Sequence, residues 1–123
     1  MSGWLLVVED ALDGQEVLAE LLTSAGYEVA ACIDAREAEA ALTERGKPCA
    51  IITDLSLRDS SGTELVAKMR TRPGYEFVPA VFVTGVEPSV VEDIRDPVLE
   101  KPVDIERLFE LVAEHCRPNS QPR

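Results

Sequence analysis

The chain has 123 residues, 46% hydrophobic and 28% charged, a composition typical of one globular domain around a single core. Its formal net charge of −11 excludes the basic face that direct nucleic-acid binding requires, and favours a cationic protein partner or a divalent cation. No apolar run approaches the ~18 residues of a membrane span, and the N-terminus lacks the pattern of a secretory signal. We therefore expect a cytoplasmic protein with no membrane or nucleic-acid partner.

Short apolar runs alternate with stretches of helical periodicity from the start of the chain. Residues 4–8 form a continuous apolar run, which is typical of a strand buried on both faces. Helical spacing over residues 13–25 predicts a first helix, and residues 27–33 predict a second strand. Asp34 and Glu37 resemble a capping box, so a second helix is expected to begin there and to end at the following Gly-Lys-Pro sequence.

The middle of the chain repeats this alternation. Residues 49–53 are apolar and predict a third strand, which a polar loop separates from a helix carrying Leu65, Val66 and Met69. That helix is expected to end before Pro73, because proline removes a backbone donor and clashes with the preceding turn.

The last third of the chain predicts two more strands and a final helix. Residues 80–84 form the fourth strand, residues 88–95 at most a short helix, and residues 97–99 a brief fifth strand. Asp104 is placed to cap the final helix, and residues 117–123 are polar and are expected to be disordered. Strands that alternate with helices predict a parallel sheet covered on both faces, with the C-terminal ends of all strands at one edge.

Polar side chains follow four of these five predicted strands. Glu9 and Asp10 follow the first strand, Asp54 the third, Thr84 the fourth and Lys101 the fifth. Ligands bind beyond the C-terminal strand ends in open sheets of this kind, so these side chains are expected to lie together. Three crowded carboxylates repel one another unless a cation joins them, and Mg²⁺ prefers such oxygen ligands. With the metal bound, Asp54 could act as a nucleophile toward a phosphoryl group.

In these residues the chain resembles the receiver domain of two-component response regulators. The match includes the acids, the threonine and the lysine just described, Gly62 in the loop after Asp54, and Pro102 directly after Lys101. It covers roughly residues 4–116. The resemblance implies a flavodoxin-like α/β fold, a doubly wound five-stranded parallel sheet of order 2-1-3-4-5. The fourth helix of that fold, over residues 88–95, is expected to be shortened here.

The resemblance also implies the chemistry. Asp54 would be the phosphoacceptor for a histidine of a sensor histidine kinase or phosphotransfer protein. Asp10 and Asp54 would bind Mg²⁺ directly, Glu9 would help through water, and the main-chain carbonyl of Ser56 would be a further ligand.

The remaining implied roles concern the phosphoryl group and the switch. Thr84 and Lys101 would contact the phosphoryl group, and Pro102 is expected to follow a cis peptide bond that orients the lysine. Val98 stands three positions before Lys101, where the family usually has a switch aromatic. The usual coupling between threonine and aromatic therefore cannot operate in its common form.

Other departures surround the same loops. Arg58 replaces a frequent proline and is expected to face solvent, and Gly85 replaces a frequent alanine. The interval from Thr84 to Lys101 is shorter than usual, and the missing residues fall on the fourth helix. The segment over residues 82–85 is similar to a subgroup of receivers with a Phe-Ala-Thr-Gly signature, which are often stand-alone and tied to particular bacterial kinases.

These features predict a receiver domain over residues 1–117 and a tail over residues 118–123. The expected protein is a cytoplasmic bacterial single-domain regulator, a monomer or weak dimer, which catalyses only its own phosphorylation and dephosphorylation. It would signal through phosphorylation-dependent binding of a downstream protein, or serve as a phosphate sink or relay. The alternative is a non-phosphorylated adaptor that keeps the fold, and excision from a longer hybrid protein stays open.

Two enzyme classes fit the sequence less well. A haloacid-dehalogenase-type phosphatase would need an acid two residues after the nucleophile, where Ser56 stands. A flavodoxin would need a phosphate-binding loop rich in serine, threonine and glycine after the first strand, and residues 11–14 do not supply one.

The three cysteines, Cys32, Cys49 and Cys116, are too few and too scattered to predict a disulfide framework or a metal site. Two of them lie in apolar surroundings and are predicted to be small core residues.

Overall fold

The computed structural model describes residues 3–85 and 94–118. The strands are β1 (Trp4–Val8), β2 (Glu28–Cys32), β3 (Ala50–Asp54), β4 (Ala80–Thr84) and β5 (Val98–Glu100). The helices are α1 (Leu12–Ser24), α2 (Ala35–Arg45), α3 (Gly62–Met69) and α4 (Ile105–Ala113). The short helix predicted over residues 88–95 falls mainly on residues outside the described ranges, as does the predicted tail beyond residue 118. None of the helices within those ranges is long and apolar enough to cross a bilayer.

All five strands are parallel and lie in the order β2-β1-β3-β4-β5, which confirms the predicted flavodoxin-like sheet. The order reverses between β1 and β3, which are direct neighbours with Val8 opposite Thr53. On the other side of β3, Asp54 lies opposite Val83 of β4. The C-terminal ends of these three strands therefore meet at one edge, where the chain reverses its direction of winding.

The three central strands, β1, β3 and β4, are buried on both faces, as their continuous apolar runs predict. In β1, Leu6 and Val8 pack on one side with residues of α2 and α3, while Leu5 and Val7 pack on the other with residues of α1 and α4. All four of these side chains are at most 1% exposed. Complete burial of each contributes roughly 1.5–3 kcal/mol, so the central strands hold the site at their ends in a fixed position.

Helix starts follow the predicted capping chemistry. The Asp34 carboxylate accepts a hydrogen bond from the Glu37 N–H at 2.9 Å, and the Glu37 carboxylate accepts one from the Ile33 N–H at 3.0 Å. Asp104 likewise accepts from the Arg107 N–H at 3.2 Å at the start of α4. These caps satisfy backbone donors that have no partner within the helix.

The cysteines depart from the sequence-based prediction. Cys49, just before β3, and Cys116, just after α4, form a disulfide with a Cα–Cα distance of 5.6 Å. The pairing was missed because 67 residues separate the two in sequence, and only the packing of α4 on the sheet brings them together. Cys32 is free and buried, as predicted for a small core residue.

Candidate functional site

Asp54 is the last residue of β3 and its side chain is almost completely buried. Two local contacts fix its backbone. The Thr53 hydroxyl donates to the Asp54 carbonyl oxygen at 3.0 Å, and the Gly62 N–H donates to the Leu55 carbonyl at 2.7 Å. A Cβ at position 62 would overlap the Asp54 carbonyl oxygen, so only glycine permits this close approach of the loop.

Glu9 and Asp10 lie at the adjacent end of β1. The Glu9 N–H donates to the Cys32 carbonyl at 3.0 Å, which continues the pairing with β2 by one residue. Its carboxylate is buried, 2% exposed, and accepts from the Ala11 N–H at 3.1 Å. One carboxylate oxygen each from Glu9, Asp10 and Asp54 lies within 4.8 Å of the other two, as the sequence predicted.

Lys101 joins two of these acids. Its Nζ lies 2.9 Å from Glu9 Oε2 and 2.9 Å from Asp54 Oδ1. Its own N–H donates to the Thr84 carbonyl at 2.7 Å, which ties the residue to the end of β4. The peptide bond between Lys101 and Pro102 is cis, as predicted. The hydrogen bond to Thr84 therefore fixes the backbone of Lys101 at the sheet edge, from which its side chain reaches the acids.

The electrostatics of the group follow from burial and mutual contact. The pKa of Asp54 is raised to about 7, first by burial and then by its hydrogen bond with Glu9, although Lys101 opposes the rise. Burial would also raise the pKa of Glu9, but hydrogen bonds from Asp54, Lys101 and the Ala11 N–H together lower it. For Lys101, burial favours the neutral amine, yet the two carboxylates raise its pKa. Near neutral pH, Asp54 is the acid of the pair that exchanges its proton.

The other predicted site residues lie around this group. Thr84 ends β4 and is buried, 7% exposed. Ser56 is exposed and forms an isolated antiparallel bridge with Ser61 across the loop after β3. Val98 begins β5 opposite Phe82, half-buried against the core on the α2 and α3 side. Arg58 is exposed, as predicted for a loop residue.

A groove beside the site was not predicted. It has a volume of about 530 Å³, it runs between α1 and the loop before α4, and Glu9 and Lys101 stand in its wall. Val17 lines it and, although apolar, is 54% exposed. Gly14 also lines it, and a Cβ there would lie 3.3 Å from Glu9 Oε2.

Fold and site together define a flavodoxin-like α/β domain with an acidic, lysine-bearing site at the C-terminal edge of its sheet. The family model of the response regulator receiver domain matches residues 5–113. The chain belongs to this family, whose members are signalling domains. The more specific likeness to the Phe-Ala-Thr-Gly subgroup stays a prediction.

Three similar proteins illustrate the family. An uncharacterized 14.6 kDa protein of Leptolyngbya boryana is 30% identical over 117 residues, covering 91% of this chain and 88% of the relative. The response regulator protein FleR of Pseudomonas aeruginosa is 31% identical over 121 residues, and this chain spans 25% of its length. The structure of the chemotaxis response regulator CheY4 of Vibrio cholerae superposes with a TM-score of 0.81 at 26% identity, covering 93% of this chain and 98% of that one.

The residues present fit a hard divalent cation. Each of the three acids offers an oxygen to a common centre, and within residues 3–85 and 94–118 no sulfur or nitrogen ligand belongs to the cluster. Mg²⁺ binds through one or two carboxylates and retains water, which suits two buried acids beside Asp10, which is not buried.

Proposed function

We propose that this domain accepts a phosphoryl group on Asp54 from a histidine of a sensor kinase or phosphotransfer protein. The observation that carries the proposal is the contact between the Asp54 carboxylate and the Lys101 ammonium, 2.9 Å apart, at the rim of a three-acid cluster. A structural salt bridge alone would not require two further acids at the same strand edge, since like charges at this distance destabilise one another.

Asp10 and Asp54 would hold Mg²⁺ directly, with Glu9 acting through water and the Ser56 main-chain carbonyl as a further ligand. When bound, the ion would offset the carboxylate charges and the charge that develops on the phosphoryl oxygens. The family to which the chain belongs and the oxygen-only donor set support this assignment.

The side chains of the site would act by holding the reacting groups in place. A carboxylate oxygen of ionised Asp54 attacks phosphorus, the new O–P bond forms as the N–P bond of the phosphohistidine breaks, and the released imidazole keeps the electron pair. Lys101 Nζ and the Thr84 hydroxyl would donate hydrogen bonds to phosphoryl oxygens. Lys101 already contacts Oδ1 of Asp54, so it would need little rearrangement to reach a phosphoryl group on that carboxylate.

The donor would approach along the groove between α1 and the loop before α4. The groove is largely apolar, and it leads to Glu9 and Lys101, so a partner seated there could bring a histidine to Asp54. The exposed Val17 would be covered by this partner. Val17→Asp should then slow phosphoryl transfer from a kinase while leaving transfer from a small acyl phosphate unchanged.

The direct experiment incubates the protein with Mg²⁺ and a small acyl phosphate and measures its intact mass. We expect a gain of one phosphoryl group that Asp54→Asn abolishes. Asp59→Asn is the matched control, because Asp59 is an exposed aspartate in the loop after β3. An unmodified wild-type mass, or equal modification of Asp54→Asn, would overturn the proposal.

A second candidate is the non-phosphorylated adaptor, which the half-buried Val98 at the usual switch position favours. Titration with Mg²⁺ separates the two. A phosphoacceptor should show amide shifts at Asp10 in the millimolar range, whereas an adaptor with a degenerate site should show none. A pull-down that compares the phosphorylated and Asp54→Asn forms then decides between two downstream roles, binding of a protein partner and phosphate relay.

A further inference from the structure

The disulfide lies at the end of the sheet opposite to the acidic site. Cys49 directly precedes β3 and Asp54 ends it, so the two residues are separated by about 16 Å along one strand. Cys116 follows α4, the helix that begins just after Lys101. The bond therefore joins the end of α4 to the start of β3. The opposite ends of these two elements lie near Lys101 and carry Asp54, respectively.

A backbone hydrogen bond holds each cysteine to its own element. The Cys49 N–H donates to the Trp4 carbonyl at 2.8 Å, which extends the pairing of β3 with β1. The Cys116 N–H donates to the Val112 carbonyl at 2.8 Å, which extends the last turn of α4. The Cα–Cα distance of 5.6 Å is that of an ordinary disulfide, so the bond forms without displacing either element.

The residues at the end of α4 combine burial with an unfavourable charge pattern. Leu108, Leu111 and Val112 are buried, but the last turn contains no basic residue and is followed by Glu114. Acidic groups near a helix C-terminus are unfavourable, because the carbonyl end of the helix carries partial negative charge. The bond to Cys49 is thus a covalent constraint on residues whose charges do not favour the end of a helix.

We propose that Cys49 and Cys116 form a reversible thiol–disulfide pair that sets how firmly the end of α4 is held on the sheet. Oxidation fastens the helix to β3, and reduction releases its final turn without unfolding the domain. The pair gives the domain a redox input remote from Asp54. This input does not depend on the phosphoryl chemistry proposed above.

The exchange balances with a small thiol and its disulfide as the redox partners. One small thiolate attacks the Sγ of half-buried Cys49, the protein S–S bond breaks, and Cys116 leaves as a thiolate that takes up a proton. A second small thiolate attacks the mixed disulfide and releases Cys49, which also gains a proton. Two small thiols become one small disulfide, and two electrons pass to the cysteines. Oxidation by a small disulfide is the reverse.

The first test titrates thiols in the folded protein after equilibration with reduced or oxidised glutathione. Cys32 is buried, and its pKa is raised to about 11 by burial and neighbouring acids, so it should react slowly in both states. In the reduced protein we expect half-buried Cys49 to react rapidly and Cys116, which is 4% exposed in the bonded state, to follow as the last turn of α4 opens; neither should react in the oxidised protein. Cys32→Ala should keep this difference, whereas Cys49→Ser and Cys116→Ser should abolish it.

The second test measures the consequence for α4. Oxidation should raise the melting temperature by roughly 10 °C, given ordinary disulfide stabilisation in a domain of this size. Reduction should speed amide exchange of residues 113–116 by roughly tenfold or more, while the central strands stay the most protected part of the domain. Should a serine variant fail to fold, wild-type protein in the two buffers supplies the same comparison.

Three results would overturn the proposal. Oxidised glutathione could leave both thiols free, dithiothreitol could fail to reduce the folded protein, or the two states could share one melting temperature and one exchange pattern. Phosphorylation of Asp54 in both redox states serves as the independent readout. If Asp54 were phosphorylated in neither state, the phosphoacceptor assignment would fail and the redox result would stand.

Discussion

The two ends of β3 differ in what surrounds them: buried acids at the C-terminal end and a disulfide beside the N-terminal end. At its C-terminal end, Asp54 lies buried beside Glu9, and only Lys101 among the described contacts offsets the two carboxylates. Close to its N-terminal end, Cys49 is bonded to Cys116, and all neighbouring strand positions are apolar. One edge of the sheet holds unfavourable charge in a fixed place, and the other supplies stability. A reactive site of this kind needs both, because buried charges are tolerated only on a scaffold that is held firmly elsewhere.

The largest expected effect is on the rate of phosphorylation, which should depend on Lys101 at the site and not on Lys47 at the opposite edge of the sheet. Lys101→Met should slow modification by a small acyl phosphate by about 100-fold or more, since one well-placed donor to a transition state contributes about that much. Lys47→Met should leave the rate unchanged, because Lys47 is exposed and donates to the Gly74 carbonyl, away from the acids. Rates from intact-mass time courses decide this, and equal rates for the two variants would exclude the proposed role of Lys101.

A second comparison tests the backbone around Asp54. Gly62→Ala should destabilise the domain by roughly 2–3 kcal/mol, because the added Cβ would overlap the Asp54 carbonyl oxygen and force the loop away. Gly85→Ala is the control, since a Cβ there would meet nothing within 4 Å. Urea unfolding measures both variants, and a Gly62→Ala protein as stable as the control would contradict the described loop.

The third prediction concerns pH in metal-free buffer. The pKa of Asp54 in the folded domain is raised to about 7, above its value in the unfolded chain, so the folded state binds this proton more tightly. The contribution of Asp54 to stability must therefore fall as pH rises from about 4 to 7.

Asp54→Asn removes that penalty, and the variant should exceed wild type by on the order of 2 kcal/mol at pH 8, with the difference shrinking toward pH 4. Urea unfolding at several pH values checks this. A difference that stayed constant with pH would show that ionisation of Asp54 is not its source.

The smallest effect is expected at the other edge. Arg70 donates two hydrogen bonds to the Val78 carbonyl and pairs with Asp96 at 2.9 Å, partly exposed to solvent. Arg70→Met should cost roughly 1–2 kcal/mol in urea unfolding and leave the phosphorylation rate unchanged. A slower rate would mean that the two edges are coupled more strongly than their separation implies.

Sequence reasoning recovered what local patterns determine. Continuous apolar runs gave the buried strands, the alternation of strands with helices gave the parallel sheet, and the resemblance gave its order. The acids, Thr84 and Lys101 could be grouped in advance because parallel strands share a C-terminal edge.

What escaped prediction depends on packing between distant segments. The contact between Cys49 and Cys116 exists only after α4 docks on the sheet. The exposure of Val17 depends on how far apart α1 and the loop before α4 lie, which helical periodicity cannot report. The raised pKa of Asp54 likewise results from burial beside Glu9, not from its own sequence neighbours.

The measurement that tests the central claim most directly is tandem mass spectrometry of the domain after reaction with Mg²⁺ and a small acyl phosphate, with the acyl phosphate trapped by borohydride reduction. We predict that the trapped residue is Asp54, that Asp54→Asn yields no adduct, and that Asp59→Asn is modified like wild type. Modification at any other residue, or none at all, would contradict the assignment of Asp54 as the phosphoacceptor.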